Sequence, residues 1–118
     1  GRGLHKKQRE RFLVRTGDHA VLIRALDIDW IEAADYYAQL HVGDASYLIR
    51  EPLSELVHEL DPALFFRIHR SAIVNIDRVV AIDGYSQGSA VVVLRDGTRL
   101  QLSRQRREVF ERLLGRVR

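Results

Sequence analysis

A chain of 118 residues is one domain's worth, long enough to bury a hydrophobic core without metal or disulfide staples. It contains no cysteine, which excludes a disulfide framework, thiolate chemistry and any cysteine-ligated metal. The formal net charge of +3 is spread unevenly, +5 over residues 1–16, −8 over residues 17–65 and +6 over residues 66–118, and such asymmetry points to a charged partner.

The opening "GRGLHKKQRER" is basic and without period, so residues 1–9 read as a linker or junction and residues 10–118 as the domain. "RFLVRT" and "HAVLIRA", separated by Gly17-Asp18, predict a hairpin. "IDWIEA" and "YYAQLHV", joined around Ala34-Asp35, and then "SYLIRE" bring the number of short strands to about five within fifty residues. "PLSELVHEL" is the first helix, with Leu53, Leu56, Val57 and Leu60 on one stripe, Pro52 in the first turn and Asp61-Pro62 as the stop. Four more strands follow, "FFRIH", "VVAID", "AVVVL" and "RLQLS". The Asp96-Gly97 between the last two asks for a tight hairpin with a primed turn. "SRQRREVFERLLG" is a closing helix, with Ser103 as its cap, Val109, Phe110, Leu113 and Leu114 as its buried stripe, and Gly115 as its stop. The expected fold is mainly β, with one short mid-chain helix and one at the C-terminus. No apolar run approaches a membrane span and no signal-peptide stretch opens the chain, so a soluble, cytoplasmic domain is expected.

Nothing in the sequence spells an enzyme. The five histidines, His5, His19, His41, His58 and His69, lack metal-ligand spacing, and no HExxH, GxSxG or phosphate-cradling glycine loop occurs. No metal and no cofactor is expected.

Binding is better supported, at three places where polar groups meet a turn. "ADYYAQ" at residues 34–39 carries Tyr36 and Tyr37, which as an ordinary strand pair would be one exposed and one buried. In "FFRIHRS" the alternation puts Phe66 and Ile68 inward with Arg67 and His69 outward; Arg70 would then face the core, so the chain must turn there. His69 and Arg70 therefore stand at a strand end, either as a solvated tip with the histidine bonded to a nearby carbonyl or as a functional one. Ser71 and Asn75, flanking the apolar "AIV", bond readily to local backbone and read as supports for that tip. "SRQRRE" at residues 103–108 gathers basic and amide side chains at a helix N-terminus, where free N–H groups already favour an anion.

Together these segments resemble the LytTR DNA-binding domain, the output module of a class of bacterial response regulators. The resemblance is carried by "FFRIHRSAIVN", by the Asp-Gly hairpin and "LSRQRR" after it, and by "DIDWIEAADYYAQLHV" and "LSELVHELDPALF" before it, over roughly residues 10–115. It implies short antiparallel strands in small packed sheets, and loops in place of a recognition helix, inserted into successive major grooves of duplex DNA. Base reading would fall near Ala38 and Gln39, at His69-Arg70 and at Arg104-Gln105. Ala38 offers no hydrogen bond, so Tyr37 or Gln39 would read in the first loop. Gln105 suits adenine. Arg67, Arg78, Arg104, Arg106 and Arg107 would take phosphates and position the domain, together with Ser71. The acidic mid-chain helix would face away from DNA. The resemblance further implies tandem short repeats in promoters as the target, a homodimer on DNA as one arrangement, and an upstream receiver or sensor domain missing from this chain. The alternative reading is an all-β interaction module whose basic face binds an acidic protein; a single-stranded nucleic-acid binder would want more exposed aromatics.

Overall fold

The structure is a computed structural model that describes residues 8–84 and 88–115. Ten strands form three antiparallel sheets. A two-stranded ribbon pairs β1 (Arg11–Thr16) with β2 (His19–Arg24). A five-stranded sheet runs in the order β5-β4-β3-β7-β6, built from β3 (Trp30–Ala34), β4 (Tyr37–Val42), β5 (Ala45–Ile49), β6 (Phe65–His69) and β7 (Ala72–Asn75). A three-stranded sheet runs β10-β9-β8, from β8 (Val79–Asp83), β9 (Ala90–Leu94) and β10 (Arg99–Leu102). Two helices complete the fold, α1 (Leu53–Glu59) and α2 (Arg107–Leu114). The mainly β architecture with two helices agrees with the sequence reading.

The five-stranded sheet is covered on both faces at β6 and β7, while its other edge, β5, is largely exposed. One core joins Ile31, Leu40, Phe65 and Ile73 to Leu53 and Leu56 of α1 and to Phe12, Val14 and Ile23 of the ribbon. The other joins Ile68, Ala72 and Val74 to Ala90, Val92 and Leu94 of the three-stranded sheet and to Phe110 of α2. This is why all four residues of β7 are buried and why β6 shows no simple inward and outward face. Phe65 points into one core while Phe66 and Ile68 serve the other, and the register shifts between Arg67 and His69. That bulge releases the end of the strand toward solvent.

Three local expectations are corrected. The β9–β10 connection is a three-residue loop in which Gly97 donates to Leu94 O and takes φ 93, a bulged loop and not a two-residue primed turn. Pro52 is the residue before α1, in extended conformation, its carbonyl accepting from Glu55 and Leu56. The stripe of the last helix is exposed at Val109, Leu113 and Leu114, and only Phe110 is buried. The helix lies on the rim of the sandwich and touches it along one line, where Phe110 stacks on Phe66 with centroids 5.1 Å apart.

The boundary drawn after residue 9 falls mostly on residues 1–7, which lie outside the described residues. Arg9 itself is tied to the domain. Its N–H donates to Glu59 O, its Nη1 meets Glu51 at 2.6 Å and Glu59 at 3.0 Å, and its guanidinium lies 4.1 Å over the Phe12 ring. These contacts absorb part of the acidic charge around α1.

Candidate nucleic-acid interface

Antiparallel pairing decides which turns become neighbours. β3 runs toward the β3–β4 turn while its partner β7 runs away from the β6–β7 turn, so both turns lie at one end of the five-stranded sheet. Ala33 N–H donates to Ser71 O at 2.9 Å across that end. The third segment arrives along the edge of β6: Ser103 N–H donates to Ile68 O at 2.7 Å, fixing the start of the 3-10 turn Arg104–Arg106 beside the bulge. The three polar segments picked out in the sequence therefore converge.

The β6–β7 turn is built from two residues, Arg70 and Ser71. Arg70 is exposed and its side chain makes no hydrogen bond among the described residues. His69 is half-buried and bonds to Ser71, not to a carbonyl. The Ser71 backbone N–H donates to Nδ1 at 3.2 Å, and Ser71 Oγ stands 2.8 Å from the same nitrogen. Nδ1 thus acts as acceptor, which in the neutral ring leaves the proton on Nε2. Ser71 thereby orients the histidine.

Arg67 is half-buried beside the turn. Its Nη2 donates to Arg70 O at 2.6 Å, and its Nε is buried without a partner. Burial, and then the charge of Arg106, make the guanidinium less basic than usual. Asn75 is the buried polar residue of the core, 1 % exposed. It donates to Leu26 O and Ile28 O and accepts from Asp77 N–H, pinning the exit of β7 to the segment before β3.

In the first segment Ala38 is buried, and both tyrosines are exposed, Tyr36 at 80 % and Tyr37 at 42 %. The expected one-in, one-out pair fails because Tyr36 sits at the hairpin tip, where Asp35 takes φ 59. Gln39 lies further along β4 and donates to Ser46 Oγ at 2.8 Å, its own oxygen accepting no hydrogen bond among the described residues.

In the third segment Arg104 and Gln105 are exposed, and Arg104 lies against Gly88, where a Cβ would come within 3.1 Å of its guanidinium. Ser103 makes no side-chain capping bond; its carbonyl accepts from Arg106 N–H instead. Arg107 meets Glu111 at 3.2 Å within α2. Arg78 is not brought to this end. It follows the far end of β7, where Nε meets Asp29 at 2.8 Å and Nη2 donates to Leu26 O.

The sequence reading missed the ground beside the turn. A shallow cleft of about 190 Å³ runs from His69 and Ser71 past Trp30 and Glu32 to Arg99 and Gln101. His41 stacks on Trp30 with centroids 4.2 Å apart, and its Nε2 meets Glu32 at 2.9 Å. The period-2 pattern of "WIE" and "RLQ" holds the signal, since each places its first and third residues on one face. Among the described residues no cluster fit to hold a metal ion occurs. No helix there is long and apolar enough to cross a membrane.

Comparison with known proteins identifies the family and the fold. The family model described as "LytTr DNA-binding domain" matches residues 18–115. The transcriptional regulatory protein LytR of Staphylococcus aureus (strain MW2) is 26 % identical over 102 residues, 86 % of this chain and 42 % of that protein. The sensory transduction protein LytT of Bacillus subtilis is 23 % identical over 104 residues, 88 % of this chain and 43 % of that protein. A response regulatory protein of Vibrio cholerae is 32 % identical over 99 residues, 80 % of this chain and 38 % of that protein. The chain thus spans less than half the length of these curated relatives. A solved LytTr DNA-binding domain of a Bacillus cereus response regulator superposes with a TM-score of 0.80 at 23 % identity, covering 91 % of this chain and 98 % of that one, and supports the fold.

Proposed function

The chain belongs to the LytTr DNA-binding domain family, and on that premise we propose that it reads double-stranded DNA in a sequence-specific way, as the output domain of a longer bacterial transcriptional regulator. The family is one of DNA-binding domains, not of enzymes. The observation that carries the proposal is the convergence of three polar segments at one end of the five-stranded sheet, where Tyr36, Arg70, Arg104 and Gln105 are exposed. A base contact displaced by an ångström is lost, so reading groups need such backing.

In this proposal the turns enter the major groove and no helix does. His69 donates through Nε2 to a purine or thymine acceptor, Arg70 forks onto guanine, and Gln105 pairs with adenine. Tyr37 and Gln39 read from the first turn, beside the exposed Tyr36. Arg67, Arg104, Arg106 and Arg107 take phosphates, which fixes register without carrying sequence information. Ser71 positions His69, and Asn75 and Ser103 hold the segments behind the turns; Arg78, paired with Asp29 at the far end of β7, takes no part. The remainder of the protein would supply the regulatory signal in the cytoplasm.

The test is selection of bound duplexes from a random pool at near-physiological salt. Enrichment of two short repeats about one helical turn apart supports reading from one face of the duplex, by two copies of the domain. Weak, salt-sensitive binding without enrichment overturns the sequence-reading proposal and favours an acidic protein as the partner of the basic end.

A further inference from the structure

Five arginines are half-buried among the described residues: Arg9, Arg67, Arg78, Arg106 and Arg107. Three meet a carboxylate, Arg9 at Glu51 and Glu59, Arg78 at Asp29, and Arg107 at Glu111. The other two, Arg67 and Arg106, meet no carboxylate among the described residues, and the turn that carries Arg106 is held against β6 by the Ser103 N–H bond to Ile68 O at 2.7 Å, close enough for the Arg106 charge to make Arg67 less basic. A protein that pairs its half-buried guanidinium groups elsewhere leaves two of like sign together at one place, beside the turn that holds Arg70. A buried cation without a counter-ion is costly.

We infer that Arg67 is a positioning residue for DNA reading, holding the Arg70 turn through its carbonyl, and that one backbone phosphate seated between Arg67 and Arg106 completes this brace. The inference rests on the DNA-reading function proposed above and deepens it. Arg67 Nη2 already holds Arg70 O at 2.6 Å, so the orientation of the guanidinium sets the turn from which the Arg70 side chain projects. Its Nε is buried without a partner, and its Nη1 makes no hydrogen bond among the described residues. A phosphate there removes the repulsion between the two cations and draws both forks toward a shared oxygen set. The Arg70 turn is then stiffest when the domain is seated on the backbone. Phosphate contact and base reading become coupled, and not merely additive.

The experiment uses the selected duplex, with single phosphates replaced in turn by neutral methylphosphonate. For the wild-type domain one position should stand out, its neutralisation lowering the preference for target over random duplex by about tenfold, the worth of one good base contact. Arg67→Lys keeps the charge but lacks the second arm. It should show the same loss of preference with an unchanged salt slope, and no further loss at that one phosphate. Arg106→Gln, which leaves the β6 side of the pair intact, should also abolish the sensitivity at that position, and it serves if Arg67→Lys folds poorly. Wild-type preference in Arg67→Lys, or equal sensitivity to every phosphate in wild type and both variants, overturns the brace alone. Failure of the wild-type domain to select any sequence overturns the DNA-reading proposal and the brace with it.

Discussion

The backbone N–H of Ser71 donates to Nδ1 of His69, two residues before it in the chain, at 3.2 Å. A nitrogen that accepts from an amide cannot itself carry the proton, so in the neutral ring the proton sits on Nε2 and makes that nitrogen the donor. His69→Ala should therefore weaken binding to the selected site by about 1–3 kcal/mol and relax choice at one base position, while random duplex is bound as before. Titration of both duplexes checks it; equal loss on both removes His69 from the reading set.

Arg70 is an exposed cation of the same turn, and among the described residues its carbonyl is held by Arg67 while its guanidinium makes no hydrogen bond. Arg70→Ala should cost about 1–3 kcal/mol on the target and relax a position adjacent to the one read by His69. If affinity for target and random duplex falls together, Arg70 contacts phosphate and not base.

Asn75 links the end of β7 to Leu26, Ile28 and Asp77 from a site that is 1 % exposed. Asn75→Ala strands the Ile28 carbonyl and the Asp77 amide, while Leu26 O keeps its bond from Arg78 Nη2, so urea denaturation should show a loss of about 2–3 kcal/mol. The folded fraction should keep its ratio of target to random binding. A change in that ratio at constant stability would give Asn75 a role in recognition itself.

Period and turn chemistry made most of this fold legible. The ribbon, the "FFRIH" strand, the break at Arg70 and the C-terminal helix all follow from alternation, glycine and stripe spacing in the sequence. What alternation could not say is that β6 and β7 lie between two cores, which buries Phe65 and Ile68 on opposite sides. A stripe such as Val109, Leu113 and Leu114 likewise shows amphipathicity without showing how much of it finds a surface to cover. The candidate site was legible as three segments but not as one place, because their meeting depends on pairing partners, Ala33 with Ser71 and Ser103 with Ile68, that no local pattern encodes. The ion pairs of Arg78 and Arg107 were hidden for different reasons. Asp29 is 49 residues from Arg78, while Glu111 is a helical neighbour of Arg107 that the spacing offered and the functional reading passed over.

The β9–β10 loop adds a pH prediction. Hydrogen bonds from Thr98, side chain first and then backbone, hold the Asp96 carboxyl below its ordinary value of 3.8. A depressed folded-state value stabilises the fold wherever the carboxylate is ionised, and that contribution is lost as pH falls from about 3.8 through the lowered value. Asp96→Asn keeps an acceptor for the Thr98 N–H but cannot titrate, so between neutral pH and pH ~3 it should lose less stability than the wild type. The difference should be small, because the loop is exposed and screened. Urea melts at both pH values decide it; parallel losses would show that Asp96 takes no part in the acid limb.

Arg106 and Arg107 are neighbours in sequence with different attachments, which makes them a paired test of the electrostatic part of binding. Each phosphate contact releases condensed counter-ions, so removing one should flatten the plot of log affinity against log salt by about one unit, equally for target and random duplex. Arg106 meets no carboxylate among the described residues and its charge bears on Arg67, so Arg106→Ala should give that unit in full. Arg107 meets Glu111 at 3.2 Å, and a phosphate must compete with that carboxylate for its fork. Arg107→Ala should still flatten the slope if it contacts DNA, and Glu111→Gln, which removes the competing carboxylate, should then bind every sequence more tightly than the wild type. An unchanged slope in Arg107→Ala, with no gain in Glu111→Gln, confines the Arg107–Glu111 pair to holding α2 together. The salt-dependent term would then rest on Arg67, Arg104 and Arg106.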